Sequence, residues 1–222
     1  MSSVPERIPP TYIAVLIPVA AAINIVGGYI VTALHLPVFL DMIGTCVVAW
    51  VLGPWWGVLT GVVTNLGLAL LVNPVYLPFA ACNAIGALVW GYGLKIGLTK
   101  DFPRLLFLGI ISAFVITSMA VPIYVFVFGG ATGHFADIMT AVYLQMGAQL
   151  WVAVFSSNIL SSLADKILAV FLAVPIVQAL PPMLRYRVEI TKQPPMKVVM
   201  YTIIGIVIGV ALAAGFVIAT AK

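Results

Sequence analysis

Four polar side chains in the C-terminal half of the chain recur at spacings of three and four residues: Asn158, Ser161, Ser162 and Asp165. In an α-helix this spacing puts side chains on one face, so it predicts a polar stripe within an apolar segment. In a membrane such a stripe must face protein or a water-filled cavity, not lipid. We therefore expect either a surface that binds a polar ligand or a helix contact made through small polar residues.

Ionisable residues inside apolar segments cost about 2.5–3.5 kcal/mol each on insertion scales and mark functional sites by default. Asp41 and the adjacent pair Asp165 and Lys166 occupy such positions. Neighbouring residues on a helix point about 100° apart, so we expect Asp165 and Lys166 to have different partners and to form no simple salt bridge. Asp41 is expected to accept a hydrogen bond from a ligand, close to His35, or to cap a helix.

Further candidates lie near the ends of apolar segments and in the predicted loops between them. Aromatic walls with a few amide or imidazole groups are typical of small-molecule sites, although interfacial aromatics and loop caps have the same composition. Asp41 and Asp165 would supply acceptors or charge, while the amides and Tyr124 would orient the ligand. The predicted binding residues are Asp41, Asn83, Tyr124, Asn158, Asp165, His35, Tyr76, Gln149 and Trp151, accompanied by Asn73, His134 and Gln145.

Cys82 could bind a soft metal together with His35 or His134, including the cobalt of a corrinoid ligand. The other interpretation, which we favour, is a buried inert cysteine. The residue spacing matches no metal motif, and no nucleophile elbow, phosphate-binding loop or paired carboxylates are evident. We therefore expect a protein that is not an enzyme and that has no resident metal or cofactor.

The composition determines which elements can position these residues. Of 222 residues, 64% are hydrophobic and 7% are charged, whereas about a quarter of the residues in soluble domains are charged. The apolar stretches reach the roughly 20 residues that a membrane helix needs, and they lack the alternation of a membrane β-barrel. An all-α, polytopic transmembrane helical bundle is predicted. The net charge of +4 comes from residues between the apolar blocks, so we expect no nucleic-acid binding.

Breaks at Pro, Gly, Asn and charged residues divide the chain into predicted spans. They cover about 11–33, 40–52, 58–72, 79–98 and 105–127, then a sixth from about Asn158 to 180 and a seventh at 198–220. A partly interfacial helix from Ala136 precedes the sixth span. The predicted organisation is a six-helix substrate-binding core (1–182), a basic linker (183–197) and an additional C-terminal helix (198–222).

The basic residues predict the orientation of the chain. With alternating spans, one side receives Arg7, Lys95, Lys100, Arg104, Arg185, Arg187, Lys192 and Lys197. That side, with the N-terminus, is expected to be cytoplasmic, because Lys and Arg concentrate in cytoplasmic loops. The loops at 34–39, 73–78 and 128–157 contain no Lys or Arg and are expected to face outward.

Several of these segments resemble a known family. Residues 37–45 (PVFLDMIGT), 52–57 (LGPWWG) and 64–66 (TNL) resemble the second and third spans of the substrate-binding S components of energy-coupling factor (ECF) importers. Residues 158–182, which contain Asp165 and Lys166, look like the last core helix of that family. The resemblance covers roughly residues 11–182.

The resemblance implies capture of a vitamin, vitamin precursor or metal on the outer side, with the outer loops closing over it. A membrane coupling subunit and two cytoplasmic ATPases would energise uptake across a bacterial or archaeal cell membrane. The mainly acidic charge near the predicted site favours a neutral or cationic ligand, such as an aromatic heterocycle. The alternative is a membrane sensory or assembly module without transport activity.

The resemblance also implies a contact on the first span. The family's Ala-xxx-Ala motif would map onto Ala14 and Pro18, which departs from the pattern, and nearby alanines could substitute. Ala14, Ala20, Ala21 and Ala22 are the predicted contact with the coupling subunit. The seventh span lies outside the six-helix plan and is expected to be a packing appendage or a partner contact.

Overall fold

The structure, a computed structural model, describes residues 8–185 and 188–220, except for the side chains of the last two. Arg7 and Arg187, used above to predict orientation, lie outside the described residues. The elements of the described parts are helical: α1 (Pro10–Leu34), α2 (Ile43–Val51), α3 (Pro54–Leu71), α4 (Ala80–Lys95), α5 (Phe102–Phe128), α6 (Ala136–Gln145), α7 (Leu150–Ala179), α8 (Pro182–Arg185) and α9 (Pro195–Thr220), with 3₁₀ turns at Pro74–Tyr76 and Glu189–Lys192.

Five of these helices, α1, α3, α5, α7 and α9, are long and apolar enough to cross a membrane. Their 18-residue windows reach mean hydropathies between 1.3 and 2.4. The chain is therefore a helical multi-pass membrane protein, which confirms the predicted class. The division into a six-helix core and a seventh span stays a prediction, because α2 and α4 are shorter helices.

The sixth predicted span begins earlier than expected. This span is predicted to begin near Asn158, after a partly interfacial helix, but α7 already starts at Leu150. Ser157 and Asn158 lie within this continuous helix and are buried inside the bundle. The polar stripe is buried throughout, since Ser161, Ser162 and Asp165 are at most 3% exposed.

The second predicted span is only partly helical. Residues 36–42, here called the return segment, leave the end of α1 and run back beside it before α2 begins. A Cβ atom on Gly27 would lie 2.0 Å from Leu40 O, and one on Gly44 would lie 2.1 Å from Ala20 O. Because the backbones touch, only glycine fits at these two positions. The return segment thus reaches the interior of the bundle as non-helical chain.

The helix directions define two ends of the bundle. The cavity end holds the return segment, the turn at 73–79 and the loop at 129–135, where α1, α3 and α5 end. The basic end holds the turn between α4 and α5 and the linker before α9. Ile190 N donates to Thr99 O across these two connections. Lys95, Lys100, Arg104, Arg185 and Lys192 belong to the basic end.

Helix α9 packs against α7 within the same chain. A Cβ atom on Gly205 would lie 2.1 Å from Cγ of Phe171, and one on Gly209 would lie 2.6 Å from Cγ of Leu168. Phe216 meets Phe135 edge-on, with ring centroids 5.5 Å apart. Small residues allow this close approach of membrane helices, so α9 has a packing role in the bundle.

The predicted contact face on α1 needs a correction. Ala20 and Ala21 are 4% and 2% exposed and face the interior of the bundle. Close approach of α2 to the backbone at Ala20 explains this burial. These two alanines cannot form a surface for a coupling subunit, whereas Ala14 and Ala22 are exposed.

Replacing Gly205 by Ala should lower the free energy of unfolding by about 1–3 kcal/mol, because the new methyl group overlaps the buried Phe171 ring. Thermal unfolding in detergent measures the effect. Gly215→Ala is the matched control, since a Cβ there meets nothing within 4 Å. Equal stability of the two variants would contradict the packing of α9 on α7.

Candidate functional site

A cavity of about 160 Å³ lies at the cavity end, beneath the return segment, the 73–79 turn and the 129–135 loop. Thr32 and His35 at its rim are exposed, whereas most side chains beneath them are buried. The structure brings together these predicted residues along its walls: His35, Asp41, Tyr76, Asn83, Tyr124 and Asn158. Asn73, Cys82, His134 and Lys166 also line it.

Gln149 and Trp151 are not among the residues that line the cavity, contrary to the prediction. Trp151 is 42% exposed and meets the ring of Phe126, with centroids 5.2 Å apart. The reason is the early start of α7 at Leu150, which places Trp151 on the outer face of the helix. Gln145 of α6 is likewise exposed.

Asp165 does not line the cavity but anchors one of its walls. Its Oδ1 atom accepts hydrogen bonds from the backbone N–H groups of Phe39, at 3.0 Å, and Leu40, at 2.7 Å. Leu40 has a left-handed backbone, with φ 53°. Consecutive amides directed at one anion form a backbone nest, which stabilises a buried carboxylate. Asp165 therefore attaches the return segment to the middle of α7.

The other carboxylate oxygen of Asp165 accepts a hydrogen bond from Lys166 Nζ. This contradicts the prediction that these neighbours would not pair. Helical geometry separates their Cβ directions, but the four-carbon Lys side chain is long enough to bend back over one residue. Both side chains are at most 2% exposed, so the two charges neutralise each other inside the bundle.

Amide side chains connect the remaining walls. Asn83 Nδ2 donates to Asp41 O at 3.2 Å and to Asn65 Oδ1 at 3.0 Å. Asn65 Nδ2 donates to Tyr76 O at 2.8 Å. The site prediction missed Asn65, although an asparagine within an apolar helix was the available signal. These bonds hold α3, α4, the return segment and the 3₁₀ turn in a common arrangement.

A second buried asparagine supports the base of the return segment. Asn24 Nδ2 donates to Oγ1 of Thr45 and Oγ1 of Thr64, both at 3.0 Å, and its Oδ1 accepts from Gly44 N at 2.7 Å. Asn24 is fully buried and does not line the cavity. The site prediction missed it because its role is to fix α2 and α3 against α1.

Four polar atoms on cavity-lining residues are buried without a hydrogen-bond partner in the described parts of the chain: Asp41 Oδ1, Asn83 Oδ1, Thr117 Oγ1 and Asn158 Oδ1. Asn158 Nδ2 donates to Val154 O at 3.0 Å, which leaves its carbonyl oxygen free to accept. An unsatisfied buried polar group costs about 1–3 kcal/mol. These atoms therefore mark where a bound molecule would supply hydrogen-bond donors.

His134 latches the loop at 129–135 onto the return segment. Its Nε2–H donates to Val38 O at 3.0 Å, its Nδ1 accepts from Ala136 N at 3.1 Å, and its ring stacks on Phe39 with centroids 4.4 Å apart. This pair of hydrogen bonds requires the neutral imidazole. Burial lowers the pKa of His134, against smaller opposing effects of Val38 O and Asp137.

Cys82 lines the cavity and is a free, buried thiol. No group of three or more His, Cys, Asp or Glu residues that could hold a metal ion occurs within residues 8–185 and 188–220. A volume of about 160 Å³ is close to that of engineered cavities that bind benzene. A corrinoid does not fit this form of the cavity.

Comparisons with protein-family models, with characterised proteins and with solved structures find no match for this chain. The assignment of the site therefore depends on the geometry of the cavity and on the chemistry of its walls. The residues that line the cavity are far apart in the sequence and lie together only in the folded chain.

Asp165→Asn should lower the free energy of unfolding by about 3–5 kcal/mol, because it removes the carboxylate that forms the direct ion pair with the buried Lys166 ammonium. Thermal unfolding in detergent measures the loss. The double variant D165N/K166M should recover part of it, since the buried cation is removed as well.

The matched control for Asp165→Asn is Glu189→Gln, which removes the acid of the exposed Lys192 pair. That change should alter stability by less than about 1 kcal/mol. Comparable losses in the two single variants would show that the Asp165 anchor contributes no more than a surface ion pair.

Acidification should open the latch. Because the pKa of His134 is lowered in the folded state, the closed loop is fully stabilised above the ordinary histidine pKa of about 6.5 and loses stability as the pH falls below it. Hydrogen–deuterium exchange in residues 36–40 and 129–135, corrected for intrinsic rates, should be faster at pH 5.5 than at pH 7.5. His134→Gln should abolish this difference, and the exposed-site control His35→Gln should keep it.

Proposed function

We propose that this chain is the membrane-embedded, high-affinity substrate-binding subunit of an ECF-type importer for a vitamin, vitamin precursor or related micronutrient. The observation that supports the proposal most directly is the cavity itself. Polar and aromatic side chains from seven separate elements converge on one small space within a bundle of apolar helices. Building such a space costs stability through its unpaired polar atoms, and binding a small molecule would recover that cost.

The covering of the cavity supports binding with slow release. A ligand beneath the return segment and the 129–135 loop would be partly covered, and contacts such as the His134–Val38 hydrogen bond hold that cover in place. Tyr76 adds a further contact, with its hydroxyl 2.8 Å from Thr32 Oγ1. Since affinity differences between related complexes arise mainly in the dissociation rate, a covered site suits tight capture of a scarce nutrient.

The distribution of basic residues supports an orientation of the chain in the membrane. We propose that the basic end, together with the N-terminus, faces the cytoplasm of a bacterial or archaeal cell, which places the cavity on the outer side. Binding by itself cannot drive net uptake, so the proposal requires partners that hydrolyse ATP. We assign this role to two cytoplasmic ATPases and a membrane coupling subunit, which would dock on the exposed face of α1 near Ala14 and Ala22.

The first test is recovery of a retained ligand. Protein purified in mild detergent is denatured, and the released small molecules are identified by mass spectrometry. Ala120→Trp, which fills the cavity from α5, should lose at least about nine-tenths of the ligand that the wild type retains, because the two compete for the same volume. Ala211→Trp, on the exposed face of α9, should retain it.

The second test distinguishes an importer from a sensory or assembly module. Co-purification with ATPase subunits, and accumulation of the retained compound in proteoliposomes that requires hydrolysable ATP, are the results expected of an importer. Ligand retention without associated ATPases and without ATP-dependent uptake would instead favour the sensory module. Equal retention by the wild type and Ala120→Trp would contradict the assignment of the site.

A further inference from the structure

The buried charges around the cavity do not balance. Asp165 and Lys166 form a neutral pair, and Asp165 receives two additional backbone hydrogen bonds. His134 is neutral, because one ring nitrogen donates and the other accepts. Asp41 is 8% exposed and lines the cavity, and no described side chain forms an ion pair with it. With Asp41 ionised, the side chains of Asp41, Asp165 and Lys166 together carry one net negative charge, because Lys166, which also attracts Asp41, already pairs with Asp165.

An unmatched charge in a low-dielectric interior is costly unless a counter-charge or several donors accompany it. The free atoms that accompany Asp41 Oδ1 on the cavity-lining residues are the side-chain carbonyl oxygens of Asn83 and Asn158 and the hydroxyl of Thr117. The carboxylate oxygen and the two amide oxygens can only accept hydrogen bonds. A ligand that satisfies them must therefore donate N–H or O–H groups, and a positive charge on the same groups would balance Asp41.

The size and shape of the cavity further restrict the class of ligand that it can bind. The cavity holds about 160 Å³, comparable to engineered cavities that accommodate one benzene molecule. Aromatic rings stand around it: Phe39 is stacked on His134, and Phe79 lies 5.1 Å from Tyr124 between ring centroids. Flat aromatic walls favour a planar organic ring over a hydrated inorganic ion, and their faces attract a cation.

We propose that the cavity selects a single-ring, planar organic monocation, of the amidinium or protonated amino-heterocycle type, whose N–H groups donate to Asp41 and Asn158. This inference rests on the proposed function, because it names the substrate class of the same site. Asp41 distinguishes cationic ligands from neutral and anionic ones, and the cavity volume distinguishes single-ring ligands from larger ones.

Three probes of one shape and different charge test the proposal: benzamidine is cationic, benzamide neutral and benzoate anionic. Binding is measured by calorimetry on detergent-solubilised protein that mass spectrometry shows to be empty. Benzamidine should bind at least about tenfold more tightly than benzamide, as expected for one charge-assisted hydrogen bond, and benzoate should bind more weakly than both. A second ring, in 2-naphthamidine, should weaken binding at least about tenfold relative to benzamidine.

Asp41→Asn keeps the shape of the side chain and removes its charge, so it should bring the affinities for benzamidine and benzamide to within about twofold. Asp101→Asn is the matched control, because Asp101 is an exposed helix cap at the basic end. It should preserve the wild-type preference. Size-exclusion chromatography reports whether each variant is folded. If Asp41→Asn does not fold, the three probes on the wild-type protein still test whether the cavity prefers a cation.

Several results would overturn the proposal: no detectable benzamidine binding, benzoate or benzamide binding as tightly as benzamidine, or undiminished binding of 2-naphthamidine. If the protein cannot be emptied, the retained molecule is the readout. A single-ring base supports the proposal, and an acid, a neutral compound or a multi-ring compound contradicts it. ATP-dependent uptake of an acidic or multi-ring compound would refute the substrate class while leaving the importer function standing.

Discussion

The buried carboxylate of Asp165 is the interaction on which the cavity depends. It receives two amides of the return segment and the ammonium of Lys166, so it joins a non-helical strand of backbone to the centre of a membrane helix. Unpaired backbone amides are expensive in an apolar interior. Without this anion, the amides of Phe39 and Leu40 would lose their hydrogen-bond acceptor, and this wall of the cavity would lose its attachment to α7.

The hydrogen bonds between Asp165 and the return segment can form only because the return segment packs closely beside α1 and so lies next to α7. Gly27 lets the return segment touch the backbone of α1, and Gly44 does the same for α2. Asn24 accepts a hydrogen bond from the amide of Gly44 and donates to the hydroxyl oxygens of Thr45 and Thr64. Close approach and hydrogen bonding thus replace the helical ladder over residues 36–42. The chain accepts an irregular segment inside the membrane region because its exposed backbone groups face protein and a polar cavity.

The same features explain how a covered site can still bind and release a ligand reversibly. The contacts that close it are few and polar, chiefly one histidine, one tyrosine and a stacked pair of rings, so each can be exchanged for water at modest cost. The contacts beneath it are buried charges and amides, which are far more costly to break. Opening is therefore expected to move the 129–135 loop and the 73–79 turn more readily than the Asp165 anchor.

The sequence alone determines that this is a membrane protein of apolar helices. A span needs about 20 consecutive apolar residues, and this requirement is local to each stretch of the chain. The inward-facing stripe from Asn158 to Asp165 also follows, since helical periodicity and the cost of polar groups in lipid require it. His35, Asp41, Tyr76, Asn83, Tyr124 and Asn158 were identified by type and approximate level, and they do share one cavity.

Only the tertiary structure decided the rest, because those features depend on contacts between residues far apart in the chain. The pairing of Asp165 with Lys166 and with amides about 125 positions earlier, the burial of Ala20 and Ala21, and the outward position of Trp151 result from how helices pack and where α7 begins. Asn24 and Asn65 look alike in the sequence, and their packing partners alone give one a role beneath the site and the other a role in its walls.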